Sequence, residues 1–261
     1  MNIPCKYPNN FTGLLQIVEY LRGPNGCPWD REQTSSSVKS NILEECYELL
    51  EAIDQNDIRK KIEELGDLIF HIAFQINIGK EEGTFSDEQV FGKINDKLTR
   101  RHPHVFENVE NLDSPDIELR WHKIKRKERG GEKTSALDGI PEELPALLRA
   151  QTIQQRASHA GFDWNKLKGV IDKIKEELDE LQSARSQEEL ESELGDTLFS
   201  IVNLARWIDT DAEGALRKTN VRFKKRFSMM EDICKKRGVL FENLTMPDKE
   251  NLWEEAKTLV G

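Results

Sequence analysis

Residues 61–77 read Lys61-Ile-Glu-Glu64-Leu65-Gly-Asp67-Leu-Ile-Phe70-His71-Ile-Ala-Phe74-Gln-Ile76-Asn77. Ile62, Leu65, Leu68, Ile69, Phe70, Ile72, Ala73, Phe74 and Ile76 recur at helical spacing and wrap most of a helix's circumference. A helix apolar almost all round is expected in a core. Its narrow polar strip holds Glu64, Asp67 and His71. Charges on an otherwise apolar helix need a partner, so the strip is the first hint of chemistry.

Upstream, residues 41–54 form a second helical pattern, with Ile42, Cys46, Leu49, Leu50 and Ile53 as the apolar stripe. Glu45 and Glu48 border that stripe, while Glu44 and Glu51 point further outward. The pair of helices is then written again. Asn41-Ile-Leu-Glu44-Glu45-Cys-Tyr-Glu48 returns as Lys173-Ile-Lys-Glu176-Glu177-Leu-Asp-Glu180, and Glu64-Leu-Gly-Asp67 as Glu193-Leu-Gly-Asp196. Around them, Gly26-Cys-Pro-Trp29-Asp30 faces Gly161-Phe-Asp-Trp164-Asn165. Lys97 and Arg101 face Arg222 and Arg226, and Trp121 and Lys125 face Trp253 and Lys257. Five matches in the same order make this a duplicated module. In the second copy Val170, Ile171, Ile174, Leu178 and Leu181 form the stripe bordered by Lys173, Glu177 and Glu180. Leu194, Leu198, Phe199, Ile201, Val202 and Leu204 surround Glu193 and Asp196. Gly130–Pro141 is rich in helix breakers, which predicts modules over 1–130 and 131–261. Further helices are expected over 11–22, 87–101, 115–128, 142–158, 211–237 and 248–259. No segment alternates as a strand would, and the reading is all-α.

Composition agrees. Of 261 residues 33% are charged and 7% aromatic, as suits a helix-rich soluble protein. The formal charge of −10 argues against a nucleic-acid or membrane-surface binder, although a local basic pocket can still receive a small anion. Cys5, Cys27, Cys46 and Cys234 offer neither a CxxC pair nor zinc-ligand spacing. No apolar run approaches the roughly 18 residues of a membrane span, and no signal peptide is evident. A cytoplasmic location is expected.

Like charges three and four residues apart oppose helix formation. Two unit charges about 4 Å apart repel by roughly 4 kcal/mol at an effective dielectric near 20. Carboxylates gathered that closely need protons or a bound cation. Oxygen ligands without cysteine favour a hard ion, magnesium with manganese as substitute. A di-iron bundle would need Glu-x-x-His pairs; His71 lies four residues after Asp67, and its counterpart is Ser200.

Glu-Glu-x-x-Glu followed by Glu-x-x-Asp, with Gly-Cys-Pro-Trp-Asp upstream and Arg100-Arg-His-Pro-His-Val-Phe106 downstream, closely resembles the MazG family of nucleoside triphosphate pyrophosphohydrolases. The likeness runs from about Leu14 to Lys257. It implies an all-α fold with four-helix-bundle cores, a homodimer, and magnesium-dependent cleavage of nucleoside triphosphates to monophosphate and pyrophosphate. Water would attack the α-phosphorus, with broad base specificity. Carried onto this chain, the second module would hold metal through Glu177, Glu180, Glu193 and Asp196, with Glu176, Glu177 and Glu180 catalytic. Glu45, Glu48, Glu64 and Asp67 would do the same in the first. Lys173, Arg222, Arg226 and Lys257 would meet phosphates, and Trp253 the base. His102 and His104 are expected to fix a loop, and the basic run Lys123 to Arg129 to end a helix. Arg222 stands where many relatives have lysine, and Glu189 and Glu191 where some have one. Because Asn41 replaces Lys173 in the first module, the second is expected to be the main catalyst. The rival reading is a non-catalytic helical nucleotide-sensing module with a vestigial metal site.

Overall fold

The computed structural model describes residues 7–107 and 135–260, with Asp113, Ile117, Arg120, Trp121, Ile124 and Glu128 between them. Among the described residues there are helices and turns and no strand. The chain divides into two compact units, Met1–Asp113 and Ser114–Gly261, a division that falls ahead of the expected 130/131 boundary. The helix expected over 115–128 and the basic run Lys123 to Arg129 lie largely outside the described residues.

In the first unit α1 (Phe11–Arg22) starts where the Asn10 side chain accepts the Gly13 N–H at 3.0 Å. The Gly-Cys-Pro-Trp-Asp turn follows. A Cβ on Gly26 would lie 2.1 Å from the Leu21 carbonyl oxygen, which accepts the Cys27 N–H, so only glycine fits. Pro28 opens the short α2 (Pro28–Glu32). Then come α3 (Lys39–Asp54) and α4 (Ile58–Glu81), an antiparallel hairpin whose tight turn places Asn56 at φ 54°. Asp57 caps α4 by accepting the N–H groups of Arg59 and Lys60. A capping box of Ser86 and Gln89 opens α5 (Asp87–Arg101), and Pro103 opens α6 (Pro103–Phe106).

The core is Val18, Val38, Ala73, Phe74 and Ile78, flanked by Phe11, Leu14, Leu15 and Phe70. Arg22 locks α1 to α4. Its guanidinium pairs with Glu81 at 2.7 Å, lies 4.9 Å from the Phe74 ring centre, and donates to the carbonyls of Asp30 and Gln33.

The second unit repeats the hairpin as α8 (Leu167–Ser183) and α9 (Gln187–Trp207), with α7 (Ala146–His159) packed on α9. The long α10 (Ala212–Arg237) ends at Gly238, φ 68°, and packs with α11 (Met246–Val260) after one 3₁₀ turn. There Met230, Ile233, Cys234, Leu252 and Ala256 form a core.

One expectation holds only in part. The helix at 61–77 is not enclosed by its own chain: Ala73, Phe74 and Ile76 are buried, but Ile62 (69% exposed), Leu65, Ile69 and Ile72 are open. On α3 Leu50 and Ile53 are likewise exposed, and on α9 Leu194, Leu198, Phe199 and Ile201. Among the described residues the helix packs chiefly on α3 and α1. The open residues Ile58, Ile62, Leu65, Ile69 and Ile72 instead follow four-three spacing, the period of a helix-to-helix seam.

Asp163, in the turn paired above with the Gly-Cys-Pro-Trp-Asp segment, anchors α9. It accepts from both Arg206 Nη atoms (2.9 and 2.6 Å), Trp207 Nε1, Ser158 Oγ and the Trp164 N–H. Burial alone would raise its carboxyl, yet these donors, Arg206 first, hold it down to about 2. A depressed carboxyl stabilises the fold above its unfolded value of 3.8, and that contribution is lost as pH falls toward 2. Asp163→Asn is therefore expected to lose about 1–2 kcal/mol at pH 7 after allowance for solvent. Denaturant titrations should also show a flatter pH dependence below 4 in the variant than in the wild type. Equal stability at pH 7 would refute this role.

Candidate metal centres

The helical hairpin is what makes carboxylates converge. On α3 Glu45 and Glu48 sit one turn apart, and antiparallel packing brings Glu64 of α4 opposite them. One carboxylate oxygen from each of the three lies within 4.8 Å of the others. The second hairpin reproduces this with Glu177 and Glu180 of α8 and Glu193 of α9, within the same distance. Glu64 and Glu177 are buried, and Glu48 and Glu180 reach solvent. Each group is thus anchored inside and open outside.

The electrostatics follow from the crowding. Glu193 is raised above the ordinary carboxylate range by burial, then by the charges of Glu180, Asp196 and Glu177. Glu64 is raised by burial and then by Glu48 and Glu45. Glu45 is raised by burial and then by Asp67 and Glu48, with His71 opposing. Asp67 and Asp196 are close enough to press on the neighbouring glutamates, but both are exposed and neither joins the compact three-carboxylate set.

Lys173 lies one turn before Glu177. Its Nζ is 2.6 Å from Glu177 Oε1 and 2.8 Å from Glu176 Oε1, bonds that hold the ammonium well above its ordinary value. In the first unit His71 Nε2 stands 3.8 Å from Glu45 Oε1.

The remaining residues singled out in the second module form a separate group on α10 and α11. The Arg226 guanidinium lies 5.7 Å from the Trp253 ring, which tilts against Phe223 at 5.2 Å. Trp253 packs on the α10–α11 core and is half-buried. Arg226 Nε is buried without a hydrogen-bond partner. Exposed Arg222 donates to Thr219 Oγ1, and Lys257 pairs with Glu254 at 2.9 Å. Glu189 accepts the Arg185 N–H while its own N–H donates to Ser186, so this glutamate serves the start of α9. His102 Nδ1 meets the Leu98 carbonyl at 2.7 Å, a local tie between α5 and α6.

Two features carry no local signal in the sequence. The role of Asp163 depends on Arg206 and Trp207, 43 and 44 residues away. The exposed seam resembles core in sequence because the period of an apolar stripe is the same whether its cover comes from within the chain or from outside.

Fold and clusters together define an all-α protein carrying a duplicated carboxylate centre whose oxygen-only donors suit a hard divalent cation. Residues 33–106 match the family model of the MazG nucleotide pyrophosphohydrolase domain. The chain is 46% identical over 248 residues to the nucleoside triphosphate pyrophosphohydrolase/pyrophosphatase MazG of Thermotoga maritima, covering 95% of each chain. It is 44% identical over 256 residues to the nucleoside triphosphate pyrophosphohydrolase of Escherichia coli K12, covering 95% of this chain and 97% of that one. A Mycobacterium tuberculosis protein of the same name is 34% identical over 137 residues, 52% of this chain and 41% of its own. The chain belongs to the MazG family.

Proposed function

We propose that this protein hydrolyses nucleoside triphosphates to nucleoside monophosphate and pyrophosphate, with the second unit as the main catalyst. The observation that carries this reading is the convergence of Glu177, Glu180 and Glu193, with Lys173 alongside, in a chain whose near full-length relatives bear that activity in their names.

The donor set fits magnesium or manganese. Three carboxylates offer oxygen ligands, and the charges raising Glu193 are relieved by a divalent ion. Glu177, Glu180 and Glu193 would hold it, with Asp196 beside them, as Glu45, Glu48, Glu64 and Asp67 would in the first unit. Bound there, the ion would neutralise phosphate charge and polarise the attacking water. Glu176, adjacent to Glu177 and exposed, would orient the attacking water toward the α-phosphorus. Lys173 exchanges its carboxylate partners for a phosphate oxygen. Arg226, whose buried Nε has no partner, and Arg222, one turn away, offer charge to the polyphosphate, Lys257 adds another, and Trp253 supplies a flat face for the base.

The open seams of the two hairpins support a homodimer in which a second copy completes four-helix packing. None of the described helices is long and apolar enough to cross a membrane. The chain's acidity weighs against stable nucleic-acid binding, and its cysteines, none in a CxxC pair, suit a reducing cytoplasm.

Resolving the products made from canonical and damaged triphosphates with magnesium tests the reaction. Monophosphate plus pyrophosphate is expected; diphosphate plus orthophosphate would exclude it. Binding without turnover would favour a nucleotide-sensing module. Glu48→Gln is expected to reduce turnover much less than Glu180→Gln, and the reverse order would move the main site to the first unit.

A further inference from the structure

The two acidic clusters differ at the residue one turn before their first shared glutamate. In the second cluster that residue is Lys173, whose ammonium already contacts buried Glu177 and exposed Glu176. In the first it is Asn41, half-buried, whose Oδ1 accepts the Ser40 hydroxyl at 3.3 Å. Among the described residues no lysine or arginine pairs with Glu45, Glu48 or Glu64. What faces Glu45 from α4 is His71, whose Nε2 at 3.8 Å is too far for a hydrogen bond. Its Nδ1 is buried with no partner, although the residue is only 8% exposed. The second cluster thus contains its own cation; the first contains crowded carboxylates and an unsatisfied imidazole.

An ammonium and a divalent ion compete for the same carboxylate oxygens, and two cations side by side repel. Lys173 is a flexible, one-third exposed side chain with three rotatable donors, so it can leave Glu177 without disturbing the helix. A triphosphate carries more negative charge than the two carboxylates the ammonium now touches, and so offers it a stronger acceptor. We propose that Lys173 is a built-in counter-cation that makes divalent-ion binding at the second cluster wait for a triphosphate, while the first cluster, with Asn41 in its place, binds a divalent ion unaided. This rests on the reading of the second cluster as the triphosphate's metal site. It goes further by assigning the two copies opposite loading orders: ion alone in the first, ion with nucleotide in the second.

The test is an ion count on the full chain, using manganese(II) alone and then with a non-hydrolysable α,β-methylene triphosphate, read from the paramagnetic resonance signal of the free ion. About one ion per chain is expected without nucleotide, abolished by Glu48→Gln, and a second should appear with the analogue. Lys173→Met should open the second site without nucleotide, tightening it about tenfold, and Asn41→Lys should weaken the first by a similar factor. Lys173→Gln repeats the comparison with a polar side chain, and circular dichroism verifies that each variant is folded. Two equivalent ions in the nucleotide-free wild type, none at all, or an unchanged titration in folded Lys173 variants would each overturn the proposal. No turnover is measured, so failure here leaves the proposed reaction standing. Wrong products with correct ion counts would remove the reaction alone.

Discussion

Glu180→Gln is expected to lower the turnover of triphosphate by at least about 100-fold while leaving the fold in place. The two halves of this result have one cause. Glu180 is an exposed member of the cluster, so it contributes no packing that the amide would lose. Its charge raises the Glu193 carboxyl, which means that without a bound ion it opposes its neighbours. Removing it should leave the thermal midpoint of the metal-free protein unchanged or slightly higher. It should also remove the further stabilisation that a non-hydrolysable triphosphate is expected to add to magnesium in the wild type, because ligand binding to the native state is what raises that midpoint. Steady-state kinetics and paired thermal melts measure both. Full turnover in the variant would dismiss the assignment of Glu180. A collapse of metal-free stability would show a structural role instead.

The sequence made the acidic hairpins legible because two signals coincide there. Helical periodicity marks the apolar faces of α3, α4, α8 and α9, and Glu45, Glu48, Glu64, Glu177, Glu180 and Glu193 lie beside those faces. Duplication then removed chance as an explanation. Helix ends were legible where cap chemistry is local: the expected 11–22 and 87–101 match α1 and α5, which Asn10 and Ser86 begin. Legibility fails where the deciding contact is remote in sequence. The Asp163–Arg206 pair joins positions 43 residues apart, and no periodicity announces it. Lys173 could be placed beside Glu177 from spacing, but its occupation of the cluster depends on side-chain conformation. Arg222, Arg226, Trp253 and Lys257 share α10 and α11, where their partners are one another and nearby residues of those helices, not the acidic cluster. Repeat matching identified the set without saying where it stands. The apolar circumference of α4 was visible, but a count of apolar positions does not say which molecule covers them.

Leu65→Asp on α4 is expected to raise the dissociation constant of the proposed homodimer by about 100-fold, and Leu198→Asp on α9 to act likewise in the second unit. Leu65 is 46% exposed and Leu198 47% exposed in the single chain. If the chain worked alone, aspartate at either place would be an ordinary surface change, worth within about 0.5 kcal/mol. In a dimer the same side chain becomes an unpaired charge in an apolar seam, costing about 3 kcal/mol. The glycines of the two Glu-Leu-Gly-Asp segments lie beside the same stripe. A helical glycine costs roughly 1 kcal/mol against alanine. Yet a Cβ on Gly66 or Gly195 would meet nothing within 4 Å, so packing inside the chain gives no reason for either. Both copies keep the glycine beside the open stripe, as close approach of another helix would require. Sedimentation velocity over a range of protein concentrations distinguishes the cases: the wild type should hold dimer mass on dilution, and the aspartate variants should dissociate with concentration-dependent melting. A monomeric wild type, or variants that keep dimer mass and midpoint, would place the apolar stripe outside any interface between copies.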